Sequence, residues 1–172
     1  MSSFFDVVFH RRSVRSFTAA PVTEAELDRL FRAAMAAPSA KNEQPWEFIV
    51  VADRGILDSL ADELPFAKMA HEAPMGIVVC ADPSQAHQGK AEYAVIDASC
   101  AAENLLLAAD ALGLGAVWTA LYPQPDREEV ARRLLGIPEA VIPLAFIPIG
   151  RARSEGRALN KFKEPKIHRG RW

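Results

Sequence analysis

Residues 93–112, YAVIDASCAAENLLLAADAL, limit the possible folds of this chain more than any other stretch. Their pattern predicts one long helix, apolar around most of its circumference, with Gly113 as its C-terminal stop. Such a helix has to be covered on several sides, so the rest of the chain must be arranged around it. A bilayer would also cover a helix all round. However, Asp97, Glu103, Asn104 and Asp110 interrupt the run, and no uncharged stretch approaches the roughly 18 residues that a membrane span needs. The helix is therefore expected inside a folded core, with no membrane partner.

The flanking segments supply the cover. Thr23 and Glu26 form a T-x-x-E capping box ahead of a helix over Glu24–Ala37. That helix sets Leu27, Leu30, Phe31, Ala34 and Met35 on one face and Asp28, Arg29 and Arg32 on the other, and Pro38 closes it. Phe4–His10 is a candidate short helix. Trp46–Ala52 (WEFIVVA) and Gly76–Ala81 (GIVVCA) have the aromatic and β-branched character of buried strands, with a helix over Ile56–Leu64 between them. Gly115–Ala120 and Val141–Ile149 are two further strands, separated by a helix over Asp126–Leu135 that ends at Gly136 and Pro138. Strands interspersed with helices predict a layered sheet with helices packed on it. Strand order does not follow from the pattern. Residues 151–172 are basic and polar, and read as an arm running over a surface.

A chain of 172 residues, half of them apolar, fits one domain over residues 1–172, or at most a tightly fused pair. Lysine and arginine total 20 against 22 acids, a formal charge of -2, so no global field recruits nucleic acid and any anion binding must be local. Cys80 and Cys100 lie in apolar segments without a CxxC pair or a disulfide framework, and read as reduced core thiols. The start MSSFFDVVFHRRS lacks the pattern of a secretory signal, so a cytoplasmic location is the expectation.

Two short constellations carry candidate chemistry. Arg11-Arg12-Ser13-Val14-Arg15 places three guanidinium groups and a hydroxyl within five residues. Guanidinium forks match phosphate oxygens two at a time, and a serine adds a neutral donor, so a phosphate monoester suits the cluster. A solvated basic turn has the same composition. Pro38-Ser39-Ala40-Lys41-Asn42-Glu43-Gln44-Pro45 is a loop stiffened by two prolines and furnished with polar side chains. It could read the polar edge of a planar heterocycle, or simply connect a helix to a strand. The usual catalytic sets are missing. His10, His71, His87 and His168 are scattered without metal-ligand spacing, no metal is expected, and no G-x-S-x-G elbow marks a nucleophilic serine. Gly113-Leu114-Gly115 follows a helix and precedes a strand, the reverse of a dinucleotide-binding turn.

Taken together, RRSVRSF near the N-terminus and PSAKNEQPW some twenty residues later resemble the FMN-dependent nitroreductase family. DASCAAENLLLAADALGLGAVW resembles that family's long central helix and following strand, and KFKEPKIHRGRW its C-terminal arm. The resemblance implies an α+β fold, a mixed sheet flanked by helices with a long buried central helix, and a homodimer with FMN at the subunit interface. It also implies an arm, ending at Ile167–Trp172, that reaches the partner subunit. Arg11, Arg12, Ser13 and Arg15 would bind the phosphate, ribityl chain and polar edge of FMN. Pro38, Ser39, Ala40 and Asn42 would come from the other subunit. Backbone at Ala120 and Leu121 would lie near the flavin N5, and Lys161 and Lys163 would complete the phosphate site.

Ala40 departs from the family pattern, standing where many members carry a second serine. The segment between the first two strands is also short, so the insertion that covers the flavin in larger members is minimal. A flavin needs cations for its phosphate, donors along its pyrimidine edge and an apolar wall for its rings, and the chain offers all three. The implied activity is hydride transfer from NAD(P)H through FMN to a nitroaromatic, quinone or related acceptor. A flavin-storing or sensing protein with little turnover, and a cofactor-free interaction domain, are the alternatives.

Overall fold

β5 (Ile142–Gly150) is the strand on which the sheet is assembled. The structure, a computed structural model, describes residues 3–154 and 160–172. In it β1 (Trp46–Val51) pairs with β2 (Met75–Ala81), β2 pairs with β5, and β5 pairs on its other edge with β3 (Gly115–Ala116) and β4 (Thr119–Ala120). These pairs are antiparallel. An isolated parallel bridge between Ser13 and Ala116 makes the sheet mixed.

Side-chain alternation across the pleat gives the sheet two buried faces. Ile77, Val79 and Ala81 of β2 join Ile147 and Ile149 of β5 beneath α2 (Glu24–Met35) and α4 (Ala91–Ala111). Val78, Cys80 and Phe146 point the other way, toward α3 (Arg54–Glu63) and α5 (Pro125–Leu135). α1 (Phe4–His10) packs on α4. The result is three layers, and α4 is the long buried helix that its sequence predicts. Ala94, Ala98, Ala101, Ala102 and Ala109 are buried along it, so its backbone can lie close to the sheet and to α2. Gly113, at φ +70, takes the left-handed position that ends it, while the Leu114 amide reaches back to the Ala109 carbonyl at 2.8 Å. Among the described residues no helix is long and apolar enough to cross a membrane.

One expected element is divided. The strand read over Gly115–Ala120 is two short strands, although both follow one register against β5, Gly115 opposite Gly150 and Thr119 opposite Phe146. Continuing that register sets Val117 against Pro148, which has no N–H to give the ladder, so pairing lapses there. A bulge at Leu144, where the β2 register shifts between Val79 and Cys80, lets the Leu144 carbonyl accept both the Leu121 and Tyr122 amides, at 3.1 and 3.2 Å.

Beside α3, a turn of 3-10 helix over Lys68–His71 is held by polar contacts. The His71 ring lies between Asp58 (2.9 Å from Nδ1) and Asp62 (3.1 Å from Nε2), one turn apart on α3. Arg54 donates to the Ala70 and Ala73 carbonyls. The adjoining Glu72 accepts from the Ser16 hydroxyl and the Phe17 amide, both at 3.1 Å, tying this turn to the segment that follows Arg15.

The Asp58 hydrogen bond, reinforced by Asp62, raises the His71 pKa above its ordinary value, whereas the His71 bond, followed by Lys68, lowers that of Asp62. Stabilisation through His71 is thus fully present below its unfolded pKa and is lost as pH rises through the raised one. The Asp62 contribution is lost as pH falls through its lowered value. Thermal unfolding of the wild type and His71→Gln should show a wild-type advantage largest near about pH 6 that shrinks toward about pH 8. A gap independent of pH would contradict this clamp.

Candidate functional site

The polar residues that interrupt α4 build the site. A helix turns about 100° per residue, so positions seven apart fall almost on one line. Asp97 and Asn104 make one such stripe, and Glu103 and Asp110 make another, about 120° around the helix. Each stripe holds one of the two segments singled out in the sequence.

Glu103 and Asp110 hold the arginine segment. Arg11 Nε lies 3.5 Å from Glu103 Oε1, and His10 Nδ1 lies 3.0 Å from Asp110 Oδ1. Arg12 Nη1 approaches His10 Nε2 at 3.4 Å. A guanidinium only donates, so the tautomer serving both contacts carries its proton on Nδ1, directed at Asp110. Residues 11–15 run extended along β3, where Ser13 bridges Ala116 and the Val14 amide donates to the Ala116 carbonyl at 3.0 Å.

Extended backbone alternates its side chains, and the segment divides accordingly. Arg12 and Val14 line a groove of about 370 Å³ with His10, Asp110, Arg151 and Arg153, and Arg12 Nη2 there donates to the Ser154 carbonyl at 3.4 Å. Arg11, Ser13 and Arg15 are not among that groove's lining residues, and Ser13 and Arg15 are exposed. The four expected ligands thus present two faces rather than one.

Asp97 and Asn104 serve the proline-bounded loop. Asn104 Nδ2 donates to the Ala33 carbonyl at 3.0 Å, near the end of α2, where the chain turns toward Pro38. Both carboxylate oxygens of the buried Asp97 accept from the Ala40 amide, at 3.1 and 3.2 Å. The loop is a single turn of 3-10 helix over Ala40–Asn42, with Lys41, Asn42 and Gln44 all at positive φ between 54° and 59°. That conformation is uncommon for side chains other than glycine, and it is fixed here by bonds from the Gln44 amide to Ser39 Oγ (3.0 Å) and from Gln44 Nε2 to Asn42 Oδ1 (3.1 Å).

Ala120 and Leu121 separate. The Leu121 amide is committed to the Leu144 carbonyl and its side chain is buried, so its N–H belongs to the sheet. Along an antiparallel ladder successive residues direct their polar groups to opposite sides, which turns the N–H and carbonyl of exposed Ala120 to the open edge. Its carbonyl takes a 3.2 Å bond from Arg127 Nη1. Lys161 and Lys163 lie in the exposed arm, and among the described residues no hydrogen bond or ion pair joins 160–172 to the arginine segment. Residues 155–159 of the arm lie outside the described residues.

A mixed sheet with helices on both faces and a long buried helix packed on it defines an α+β protein. The nitroreductase family model matches residues 8–67 and 58–151, and the chain belongs to the nitroreductase family. It is 38% identical over 175 residues, covering all of both chains, to the Archaeoglobus fulgidus protein named "Putative NADH dehydrogenase/NAD(P)H nitroreductase". The crystal structure of a Parabacteroides distasonis protein of the same name matches with TM-score 0.94 at 42% identity over 100% of both chains. The FMN-dependent nitroreductase from Clostridium difficile matches with TM-score 0.89 at 29% identity, covering 98% of this chain and 99% of that one.

Gly115 allows the arginine segment to dock, because a Cβ there would stand 2.6 Å from Val14 Cγ1. Gly115→Ala should therefore destabilise the fold by about 1–3 kcal/mol in denaturant titration, and adding Val14→Ala should recover most of the loss. An unchanged midpoint in the single variant would contradict the close docking.

Proposed function

We propose that the chain is an FMN-dependent oxidoreductase that takes hydride from NADH or NADPH and delivers electrons to a nitroaromatic, quinone or related small acceptor. Family membership supports the reaction class. The observation that carries the site is the pair of α4 stripes, which hold a cationic segment and a rigid polar loop in fixed conformations.

The residues present fit FMN. Arg12, on the groove side of the segment, would supply forked donors for its phosphate, Arg11 on the opposite face would add its charge from beside Glu103, and Lys161 and Lys163 would come from the arm. Ser13 and Arg15, both exposed, would be free to meet the ribityl chain and the pyrimidine edge. Pro38, Ser39, Ala40 and Asn42 reach the same flavin from a second copy of the chain. The outward N–H of Ala120 would be available to the flavin N5, and the Leu121 amide keeps that edge in register with β5. When bound, FMN supplies the redox chemistry, accepting hydride and releasing electrons. The protein binds, orients and shields it, and no side-chain acid or base is required.

The reading makes the chain one FMN-binding unit over residues 1–172, working as a homodimer in the cytoplasm, where pyridine nucleotides are supplied. Apolar exposure supports the dimer. Phe4, Phe5 and Phe9 of α1, Met35 of α2 and Ile96 of α4 are all more than half exposed, and Phe5 and Phe9 stack with centroids 6.0 Å apart. The arm likewise leaves Phe162, Ile167 and Trp172 exposed, as expected if a partner receives them. The placement of the two anchored segments on α4 stripes about 120° apart also favours a flavin shared between subunits.

The test is an absorbance spectrum after FMN saturation and desalting, repeated anaerobically with NADH and then NADPH. Retained flavin that bleaches with either donor is expected. Retained flavin that never bleaches would favour storage or sensing, and a colourless protein would overturn the reading. Arg12→Ala should weaken FMN binding about tenfold or more, the loss typical of a charge-assisted hydrogen bond, and unchanged affinity would remove Arg12 from the phosphate site.

A further inference from the structure

We propose that Asp97 is a positioning residue for FMN: by holding the Ala40 amide from inside the core, it preforms the Pro38–Asn42 loop and thereby sets flavin affinity. The inference rests on the functional reading above and extends it to a residue that touches no ligand.

Burial makes Asp97 unusual. It is 5% exposed, and Thr119 is the other polar residue buried among the described residues. A carboxylate is retained in such a place only where it is hydrogen-bonded, and both of its oxygens converge on one backbone amide, that of Ala40. Ala40 opens the 3-10 turn, so fixing its N–H fixes the direction in which the loop leaves Ser39. Immediately beyond lie the three positive-φ residues Lys41, Asn42 and Gln44, whose conformation costs energy and persists only where its surroundings impose it. The bonds at the loop's exposed rim join Ser39, Asn42 and Gln44 only to one another. Asp97 is what ties that internally bonded loop to α4. The Ala40 side chain offers no hydroxyl, so its amide is the polar handle at this position. A loop already in its bound conformation does not have to be ordered at the moment of binding, and this is how a residue without ligand contact affects affinity.

The test compares the full-length wild type with Asp97→Asn, which retains an oxygen to accept from Ala40, and Asp97→Ala, which does not. Three quantities are read: FMN dissociation constant by flavin fluorescence, melting temperature without flavin, and amide hydrogen exchange at Ala40 without flavin. Asp97→Ala is expected to bind FMN about tenfold or more weakly, and Asp97→Asn to recover most of that loss. Exchange at Ala40 should accelerate in Asp97→Ala while the amides of α2 and β1 stay protected. A purely structural role would lower the melting temperature and leave the dissociation constant and the loop-specific exchange unmoved, which would overturn the proposal. If Asp97→Ala does not fold, Asp97→Asn decides with Asp97→Ser: similar affinity in both, at unequal Ala40 protection, would overturn it. A wild type that binds no FMN would sink the flavin reading itself, whereas the exchange pattern would still show whether Asp97 orders the loop.

Discussion

Burial of α4 against the sheet is the constraint from which the rest of the molecule follows. Alanines at the sheet-facing positions let a long helix lie near β2, β5 and α2, and close approach means that little room remains for water. Any polar residue on such a helix must find a protein partner or face outward. Asp97, Asn104 and Asp110 find partners, and Glu103 pairs with Arg11 at the rim. The same packing therefore lets α4 hold the backbone of the Pro38–Asn42 loop through Asp97 and the side chains of His10 and Arg11 through Asp110 and Glu103, while the backbone of the arginine segment is bonded to Ala116.

β5 makes the second contribution. Pro148 interrupts its pairing with the β3–β4 line, and the bulge at Leu144 gathers two amides onto one carbonyl. These irregularities leave β4 as a two-residue strand with Ala120 at an open edge. Arg127 and Leu144 hold the two polar ends of the Ala120–Leu121 peptide, from outside and from inside the sheet.

Most elements were legible in the sequence because their signals are local. The capping box at Thr23, the glycine stops at 113 and 136 and the β-branched runs of β1 and β2 each lie within a few residues. Strand order was not legible, since it depends on pairings between distant segments, and the division of Gly115–Ala120 depends on Pro148, thirty residues later. The two candidate segments were visible as composition, but their supports were not. In the sequence Asp97, Glu103, Asn104 and Asp110 are interruptions of an apolar run, which by itself excludes a membrane span and names no partner. Their seven-residue spacings, 97 to 104 and 103 to 110, were the signal that each pair shares a stripe. The opposite facing of Arg12 relative to Arg11, Ser13 and Arg15 was also implicit in extended alternation, though only docking on β3 establishes that the segment is extended. The arm's destination is not encoded within one chain's contacts, because every described residue from Asn160 onward is exposed.

A crystal structure of the chain grown with FMN is the decisive measurement. Flavin is expected between the Arg11–Arg15 segment of one copy and the Pro38–Asn42 loop of another, with the Asp97–Ala40 and Asp110–His10 bonds intact. Flavin bound away from both segments, or bound only after either α4 contact has broken, would contradict this arrangement.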